Sequence, residues 1–201
     1  MAIQPGEDWG TPVDSAPTDA VVASTDRDIA AALANGHQVV VRGGTLHSSL
    51  GGPSGEHISR SLAIDLLEVR KSDSDERLGV AVSSVLVGRK GRLGLLKGRI
   101  LLVSNCGEFK GVSACPRAHP NDGRLDVIEV DQAMSLRQRR QAWNRATSGS
   151  HLPHPAMKVW SGESVDVVLK RNEHVVVDGV DLAAEGALTI SVVVDAGLIF
   201  I

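Results

Sequence analysis

The segment from Ile100 to Val130 constrains the fold more than any other part of the chain. Ile100 to Val103 is a continuous apolar run, which is typical of a buried strand. Leu125 to Val130 alternates apolar and polar side chains, which predicts a second strand with one face toward a core. Asn121-Asp122-Gly123 predicts a turn, because Asn and Asp side chains bond their own backbone and Gly accepts positive φ. The segment therefore predicts two strands joined by a structured loop.

The loop between these strands carries a candidate metal site. Pro116 and Pro120 restrict the backbone at both ends of the segment before the turn. Asp122 and Asp126 supply two carboxylates within five residues, and the carbonyl of Leu125 lies between them in sequence. Oxygen ligands of this kind suit a hard cation, so the site would hold Mg²⁺ or Ca²⁺. The alternative is an Asx turn between two strands, without a metal.

Capping signals predict two helices. Thr25 is a suitable N-cap for a helix over Asp26 to Ala34, and Asn35-Gly36 is a suitable end. This helix lies between apolar runs at residues 20–23 and 39–42, which predicts a small β-α-β unit. Ser135 can cap a second helix within residues 133–147. Further strands are predicted from short apolar or alternating runs at residues 62–69, 78–87, 157–160, 165–169, 174–177 and 188–194.

Composition and charge exclude several classes of protein. The chain has 201 residues, enough for one sizeable core, and one or at most two domains are expected. A net charge of −3, 2% aromatic residues and the absence of tyrosine argue against a nucleic-acid partner. No apolar run is long enough to span a bilayer, and the first residues lack a secretory leader pattern. Cys106 and Cys115 are then expected to be free thiols of a cytoplasmic protein with at most peripheral membrane contact.

Four motifs in this order resemble the C-terminal half of the diacylglycerol kinase and sphingosine kinase family. That half carries an Asn-Gly segment, a Pro-x-Ala segment followed by Asp-Gly-x-Leu-Asp, a Gly-x-His loop and an Asp-Gly-Glu motif. The matching segments here are Asn105-Cys106-Gly107-Glu108-Phe109, the stretch from Cys115 to Val127, the loop from Ser148 to Pro155 and Val177-Asp178-Gly179. They cover about half of the chain, from about residue 100 to its end.

The resemblance implies both a fold class and a ligand-binding site. The implied fold class is α+β, with a mainly antiparallel β-sandwich-like domain at residues 61–201. Residues 1–60 would form a small α/β segment that resembles part of the nucleotide-binding lobe. The matching motifs imply that Asn105, Arg117, His119 and Asp178 bind the ligand. The ligand implied is a lipid or another small hydrophobic molecule.

The phosphate-binding loop of this family is only partly present. Gly43-Gly44-Thr45 follows the predicted strand at residues 39–42, and glycines let backbone N–H groups approach an anion. A tight turn explains the same residues without a ligand. The family motif is Gly-Gly-Asp-Gly-Thr, and here its Asp-Gly is missing, with about forty residues preceding the loop. We therefore interpret Gly43, Gly44 and Thr45 as a remnant of a truncated nucleotide-binding half, and ATP is not expected to bind.

A valine occupies the position of the family's general base. Asp178-Gly179 is followed by Val180, whereas the resemblance assigns a glutamate there to take the proton from the lipid hydroxyl. No catalytic residue is therefore assigned. We predict a non-catalytic family member that binds a lipid, another small hydrophobic ligand or a protein partner, including a second copy of itself. The alternatives are an active ATP-dependent lipid kinase completed by a separate nucleotide-binding subunit, and a structural interaction module.

One stretch of the chain is markedly basic. Five cationic residues lie within eleven positions, namely Arg89, Lys90, Arg92, Lys97 and Arg99. Such a cluster can attract a phosphate or an anionic lipid headgroup. The alternative is a solvated hairpin tip without a ligand.

Overall fold

The computed structural model describes residues 9–52, 58–91 and 94–201. The first eight residues of the N-terminal arm and Arg92 of the basic stretch therefore lie outside the described residues. The described part contains, in chain order, β1 (Thr11–Pro12), β2 (Val21–Ala23), α1 (Asp26–Ala34), β3 (Val39–Val41), α2 (Gly44–Ser49), β4 (Arg60–Lys71), β5 (Arg77–Ala81), β6 (Ser84–Arg89), β7 (Ile100–Ser104), β8 (Glu108–Phe109), β9 (Val112–Ser113), β10 (Leu125–Val130), α3 (Leu136–Ala146), β11 (Met157–Gly162), β12 (Ser164–Val168), β13 (Glu173–Val177), β14 (Val180–Leu182) and β15 (Ala187–Phe200).

The first sheet is built on the long antiparallel pair of β4 and β15. Its strand order is β1-β4-β15-β3-β2, with β5 pairing along β4 and β12 pairing along β15. The β4–β15 register shifts between Val193 and Gly197, where β15 carries an irregularity next to Asp195. Strands β3 and β2 run parallel to their neighbours and the other pairs are antiparallel.

The second sheet packs face to face on the first and is wholly antiparallel, in the order β11-β10-β7-β6-β13-β14. Alternate residues of β6, β7, β10 and β13 are buried against alternate residues of β4 and β15, because successive side chains of a strand point to opposite faces. The shared core includes Leu67, Val85, Val103, Val127 and Ile190. The fold is the expected mainly antiparallel β-sandwich.

The N-terminal α/β unit is part of the first sheet. Helix α1 begins at the N-cap Thr25, whose hydroxyl accepts a hydrogen bond from the amide of Asp28, as predicted. Ile29 and Leu33 of α1 are buried against β3 and β15, and β3 pairs in parallel with the end of β15. The first and last parts of the chain therefore share one sheet. The division into residues 1–60 and 61–201 stays a prediction.

Most predicted elements are confirmed, and three details differ. The run at residues 78–87 was expected to be one strand but forms β5 and β6, because the amides of Val82, Ser83 and Ser84 donate to the side chain of Asp178. Helix α2 after Gly43 was not predicted. Helix α3 begins at Ser135 with a capping box formed with Gln138, and it is slightly shorter than predicted.

The outer face of the second sheet is covered by α3 and by the β8–β9 hairpin. Leu102 and Ile128 of the sheet pack against Val112 and Ala114 of the hairpin region and against Ala146 of α3. Cys106 and Cys115 are buried free thiols, as expected. Within the described residues, no helix is long and apolar enough to cross a membrane.

Candidate functional site

Asp178, a predicted ligand-binding residue, has its carboxylate enclosed by hydrogen-bond donors. Oδ2 accepts from the amide of Val82 at 2.7 Å, and Oδ1 accepts from the amides of Ser83 and Ser84 at 3.0 and 2.9 Å. The Ser83 hydroxyl also donates to Oδ1 at 2.9 Å. Burial raises the pKa of Asp178 to about 6, although these donors act in the opposite direction. The observed contacts give Asp178 a structural role, and its role in ligand binding stays a prediction.

Asn105 is also engaged with the backbone. It is fully buried, and its Nδ2 donates to the carbonyls of Asp65 and Val82 at 2.9 and 3.2 Å. Its Oδ1 has no hydrogen-bond partner among the described residues. Asn105 therefore links β4 to the turn between β5 and β6. Its predicted contact with a ligand is not tested by these bonds.

His119 and Arg117 lie in different clefts. His119 is half-buried, with its Nδ1 accepting from the Asn121 amide at 3.2 Å and its ring packed edge-on against Trp9 at 4.5 Å. It lines a cleft of about 420 Å³ with Ser49 of α2, and burial lowers its pKa. Arg117 is exposed and lines another cleft, of about 480 Å³, that also contains Asp126. The four predicted ligand-binding residues are therefore not gathered in one cavity.

The predicted remnant of the phosphate loop binds a carboxylate of the chain itself. Gly43 and Gly44 lead from β3 into α2, and Gly44 has φ +92, where a side chain would be strained and would collide with Asp26. Asp26 Oδ2 accepts from the Thr45 amide at 2.9 Å, and its Oδ1 accepts from the Leu46 amide at 3.0 Å. Two amides of the kind that would face a phosphate are thus already paired.

The candidate metal residues surround the turn after Pro120. Oδ1 of Asp122 accepts from the Arg124 amide at 3.0 Å, which is the predicted Asx turn. Asp122 and Asp126 are both half-buried, and burial, followed by the charge of Asp122, raises the pKa of Asp126 to about 6. A cation beside them would offset this cost, so the two carboxylates fit a metal in charge and ligand type. No group of three or more His, Cys, Asp or Glu side chains in the described part is arranged to hold a metal.

Asp65 ties this turn to the rest of the fold and was missed by the sequence reasoning. Its buried carboxylate accepts from the amides of Gly123 at 2.8 Å and of Asp195 at 2.9 Å. Asn121 Nδ2 lies 3.5 Å from Asp65 Oδ1 and donates to Asp195 Oδ1 at 3.1 Å. Burial raises the pKa of Asp65. The available signal was a single aspartate in the apolar strand pattern at residues 62–67.

A second missed feature is an apolar cavity of about 100 Å³ between α3 and the outer face of the second sheet. The sheet contributes large apolar side chains, and α3 contributes Ala142, Trp143 and Ala146. His151 also lines the cavity; it is 5% exposed, and its Nδ1 has no hydrogen-bond partner among the described residues. Burial lowers the pKa of His151, which favours its neutral form. The lining of the cavity is almost wholly apolar.

The two packed, mainly antiparallel sheets, with α3 on the outer face of the second, form a β-sandwich. Residues 83–198 match the family of the YegS C-terminal NAD kinase beta sandwich-like domain. Because this match covers more than half of the sequence, the chain belongs to that family.

Solved structures have the same fold. A crystal structure of a candidate diacylglycerol kinase from Bacillus anthracis str. Sterne superposes with a TM-score of 0.64 and 14% identity, covering 90% of this chain and 77% of that one. A second structure with this description, from the same organism, gives a TM-score of 0.53 and 12% identity, covering 81% and 69%. A search of curated proteins finds no significant match. The resemblance to lipid kinases is thereby confirmed at the level of the fold.

Replacement of Asp178 by alanine is expected to destabilise the fold. Asp178→Ala leaves three backbone amides without their acceptor, which should lower the free energy of unfolding by about 2–4 kcal/mol. Urea unfolding followed by circular dichroism measures the change. Asp181→Ala is the control, because that carboxylate is exposed and its one ion-pair contact among the described residues is with His174 at 3.4 Å. Equal unfolding midpoints for the two variants would contradict the structural role of Asp178.

We propose that Asp122, Asp126 and the Leu125 carbonyl hold Mg²⁺ or Ca²⁺, and thermal unfolding tests this. A cation that binds only the folded state at 100 times its dissociation constant stabilises by about 2.7 kcal/mol. Chelator should therefore lower the melting temperature of the wild type and leave that of Asp122→Ala unchanged. Asp75→Ala, which alters an exposed acidic turn, should respond as the wild type does. Identical melting curves of the wild type with cation and with chelator would contradict the metal site and leave only the Asx-turn interpretation.

Proposed function

We propose that this chain is a non-catalytic member of the lipid kinase family that binds a lipid or another small hydrophobic ligand. The main support for the proposed loss of catalysis is that Asp26 pairs with the Thr45 and Leu46 amides. Phosphoryl transfer depends mainly on positioning the γ-phosphate and stabilising its charge. A carboxylate at these amides occupies donors that a phosphate would need, and its negative charge repels a phosphate.

The residue at position 180 supports the same conclusion. Val180 begins β14 directly after the Asp178-Gly179 turn, and a valine side chain cannot accept a proton. The next carboxylate along the chain, Asp181, is exposed and lies 3.4 Å from His174 Nε2. Loss of a general base alone typically costs about 10²–10⁴-fold in rate. The occupied phosphate loop and the missing general base therefore both favour a loss of phosphoryl transfer, although their effects on the rate need not add.

The cavity under α3 supports the binding part of the proposal. Large apolar side chains line it. Arg139, the only strongly basic residue among the described residues that line it, donates its observed hydrogen bonds to backbone carbonyls. The unpaired Nδ1 of the neutral His151 could accept a hydrogen bond from a ligand hydroxyl. Similarity to proteins described as candidate diacylglycerol kinases favours a lipid as the ligand. A protein partner or a second copy at this face is the alternative.

The wild-type chain is expected neither to bind Mg·ATP nor to phosphorylate diacylglycerol or sphingosine. Calorimetric titration with Mg·ATP and a radiolabelled transfer assay measure the two properties. Val180→Glu should restore no activity, because the phosphate loop stays blocked by Asp26. An active lipid kinase assayed in parallel validates the substrate preparation. Micromolar ATP binding together with lipid turnover by the wild type would overturn the non-catalytic assignment.

The combined variant Asp26→Ala/Val180→Glu separates the two losses. If the pairing of Asp26 is the only obstacle to nucleotide binding, this variant should bind Mg·ATP, whereas Val180→Glu alone should not. We expect no turnover from either variant, since the loop also lacks the Asp-Gly of the family motif. Turnover by Val180→Glu alone would show that only the base was missing, and would contradict the role given to Asp26.

Filling the cavity should weaken ligand binding. Trp143 lines the cavity, so its fluorescence reports binding of 1-oleoylglycerol below the aggregation concentration of that lipid. Ala142→Trp places a large side chain in the cavity and should weaken binding by at least about tenfold. Gln141→Trp, on the exposed side of α3, is the control and should bind as the wild type does, with each titration compared with its own starting signal.

A smaller substitution keeps the cavity-filling test informative if Ala142→Trp fails to fold. Ala146→Leu fills less of the cavity than a tryptophan at position 142 and should weaken binding in the same direction. Melting curves establish which variants are folded. Unchanged affinity in a folded filling variant would show that the ligand binds elsewhere.

A further inference from the structure

A polar groove adjoins the apolar cavity under α3. The groove has a volume of about 380 Å³ and shares four apolar side chains with the cavity, so the two spaces lie next to each other. The shared side chains are Leu86, Leu95, Ile100 and Phe109. The groove is far larger than the cavity and mixes polar with apolar lining, whereas the cavity lining is almost wholly apolar. An apolar space and a more polar one therefore lie side by side at this face of the sheet.

The polar part of this space is positively charged. Arg89 and Lys110 line the groove, and both are exposed and lack an acidic partner among the described residues. The nearby Arg99 is unavailable, because it pairs with Glu173 at 2.9 Å and donates to the Val168 carbonyl at 3.1 Å. Lys110 lies 5.8 Å from the centre of the Phe109 ring, so its charge is held at the junction with the cavity.

Among the described residues, His174 and its neighbour Asp181 are the other titratable side chains beside the groove. His174 lines the groove, with its Nδ1 2.9 Å from the Gly88 carbonyl and its Nε2 3.4 Å from Asp181 Oδ1. Asp181 is exposed and is not part of the groove lining. Glycines 88, 91, 94 and 179 supply much of the rest of the lining, which leaves room for a bulky head group beside the two cations.

The size of the apolar part limits the ligand to one chain. At about 100 Å³, the cavity is smaller than the roughly 150 Å³ engineered cavity that holds one benzene molecule. Two acyl chains would not fit in a space of this size, whereas the end of a single chain would. The groove would then hold the remainder of the molecule.

We propose that the cavity and the groove together bind a single-chain anionic amphiphile. Its chain enters the cavity between Leu102, Ile128 and Ala142, and its phosphate or carboxylate binds Arg89 and Lys110. Charge-assisted hydrogen bonds are the strong ones, and arginine can contact either anion with two N–H groups. This inference rests on the proposed function for its apolar ligand. It adds that the ligand is anionic, that it has a single acyl chain, and that Arg89 and Lys110 recognise its head group.

Three ligands with the same chain test the charge. Trp143 fluorescence is titrated with 1-oleoyl-glycerol 3-phosphate, oleate and 1-oleoylglycerol, each below its aggregation concentration. At least one anionic ligand is expected to bind about tenfold or more tightly than the neutral one, and its affinity should fall as salt is added. A preference for phosphate or for carboxylate identifies the head group, and either preference supports the inference.

A charge-removal variant tests the two cations. Arg89→Gln/Lys110→Gln should weaken anionic binding by about tenfold or more and leave 1-oleoylglycerol within about twofold of the wild type. The matched control Arg27→Gln/Lys158→Gln removes the same charge from exposed positions outside the groove and should bind as the wild type does. An equal loss of affinity in both double variants would overturn the assignment, because it would reflect net charge alone.

Two other results would also overturn the inference, and they differ from failure of the proposed function. Equal affinity for all three ligands would refute the charge preference while leaving an apolar ligand in place. Binding to vesicles of equal phosphatidylserine and phosphatidylcholine, with no binding of dispersed single-chain lipid, would show a membrane surface site instead. No binding of any ligand, with Ala142→Trp indistinguishable from the wild type, would refute the proposed function itself.

Discussion

The bonding of Asp178 to three successive amides holds the two sheets of this fold in their positions. The chain passes from the first sheet to the second between β5 and β6, and there the ladder hydrogen bonds stop. The amides of Val82, Ser83 and Ser84 consequently need another acceptor, because buried backbone donors are rarely left unpaired. Asp178 supplies it from the β13–β14 turn, where its own φ of 44° is in the left-handed region. One carboxylate thus fixes both a sheet crossing and a tight turn.

The same solution appears twice more in the chain. Asp65 accepts from the amides of Gly123 and Asp195, which connects β4 to the loop before β10 and to the irregularity in β15. Asp26 accepts from the amides at the start of α2. In each case an internal carboxylate pairs backbone donors that regular structure leaves open. At α2 this pairing bears on the proposed function, because a bound phosphate would use the same two amide donors.

Local signals in the sequence were sufficient for most of the regular elements. The caps at Thr25 and Ser135 and the alternation from Leu125 to Val130 each depend on neighbouring residues, and each is confirmed. The motif order also led correctly to the family fold. By contrast, the break between β5 and β6 depends on a residue about 95 positions away, and the cavity depends on α3 meeting a sheet face. Long-range contacts of this kind leave no local pattern.

The predicted site residues also differ in whether their contacts are local or distant in sequence. Asp178 and Asn105 occur in recognisable motifs, but a motif does not specify whether a polar side chain faces a ligand or the protein's own backbone. Their partners come from strands distant in sequence, so their burial and bonding could not be read from residues near them. Asp122 is different, because its Asx turn is formed with Arg124, two residues away, and it was predicted.

The valine at position 180 fits the proposed loss of catalysis, because a valine side chain cannot take the proton from a lipid hydroxyl. Val180 pairs with Val177 in the ladder between β13 and β14, whereas Arg89 of the basic groove pairs with Glu173 at the other end of β13. The substitution at position 180 and the cations proposed to bind the head group are therefore separate features of the chain. The cavity under α3 is also separate from the predicted phosphate loop, since Gly43, Gly44 and Thr45 do not line it. The proposed ligand binding at the cavity therefore does not depend on whether the chain transfers a phosphoryl group.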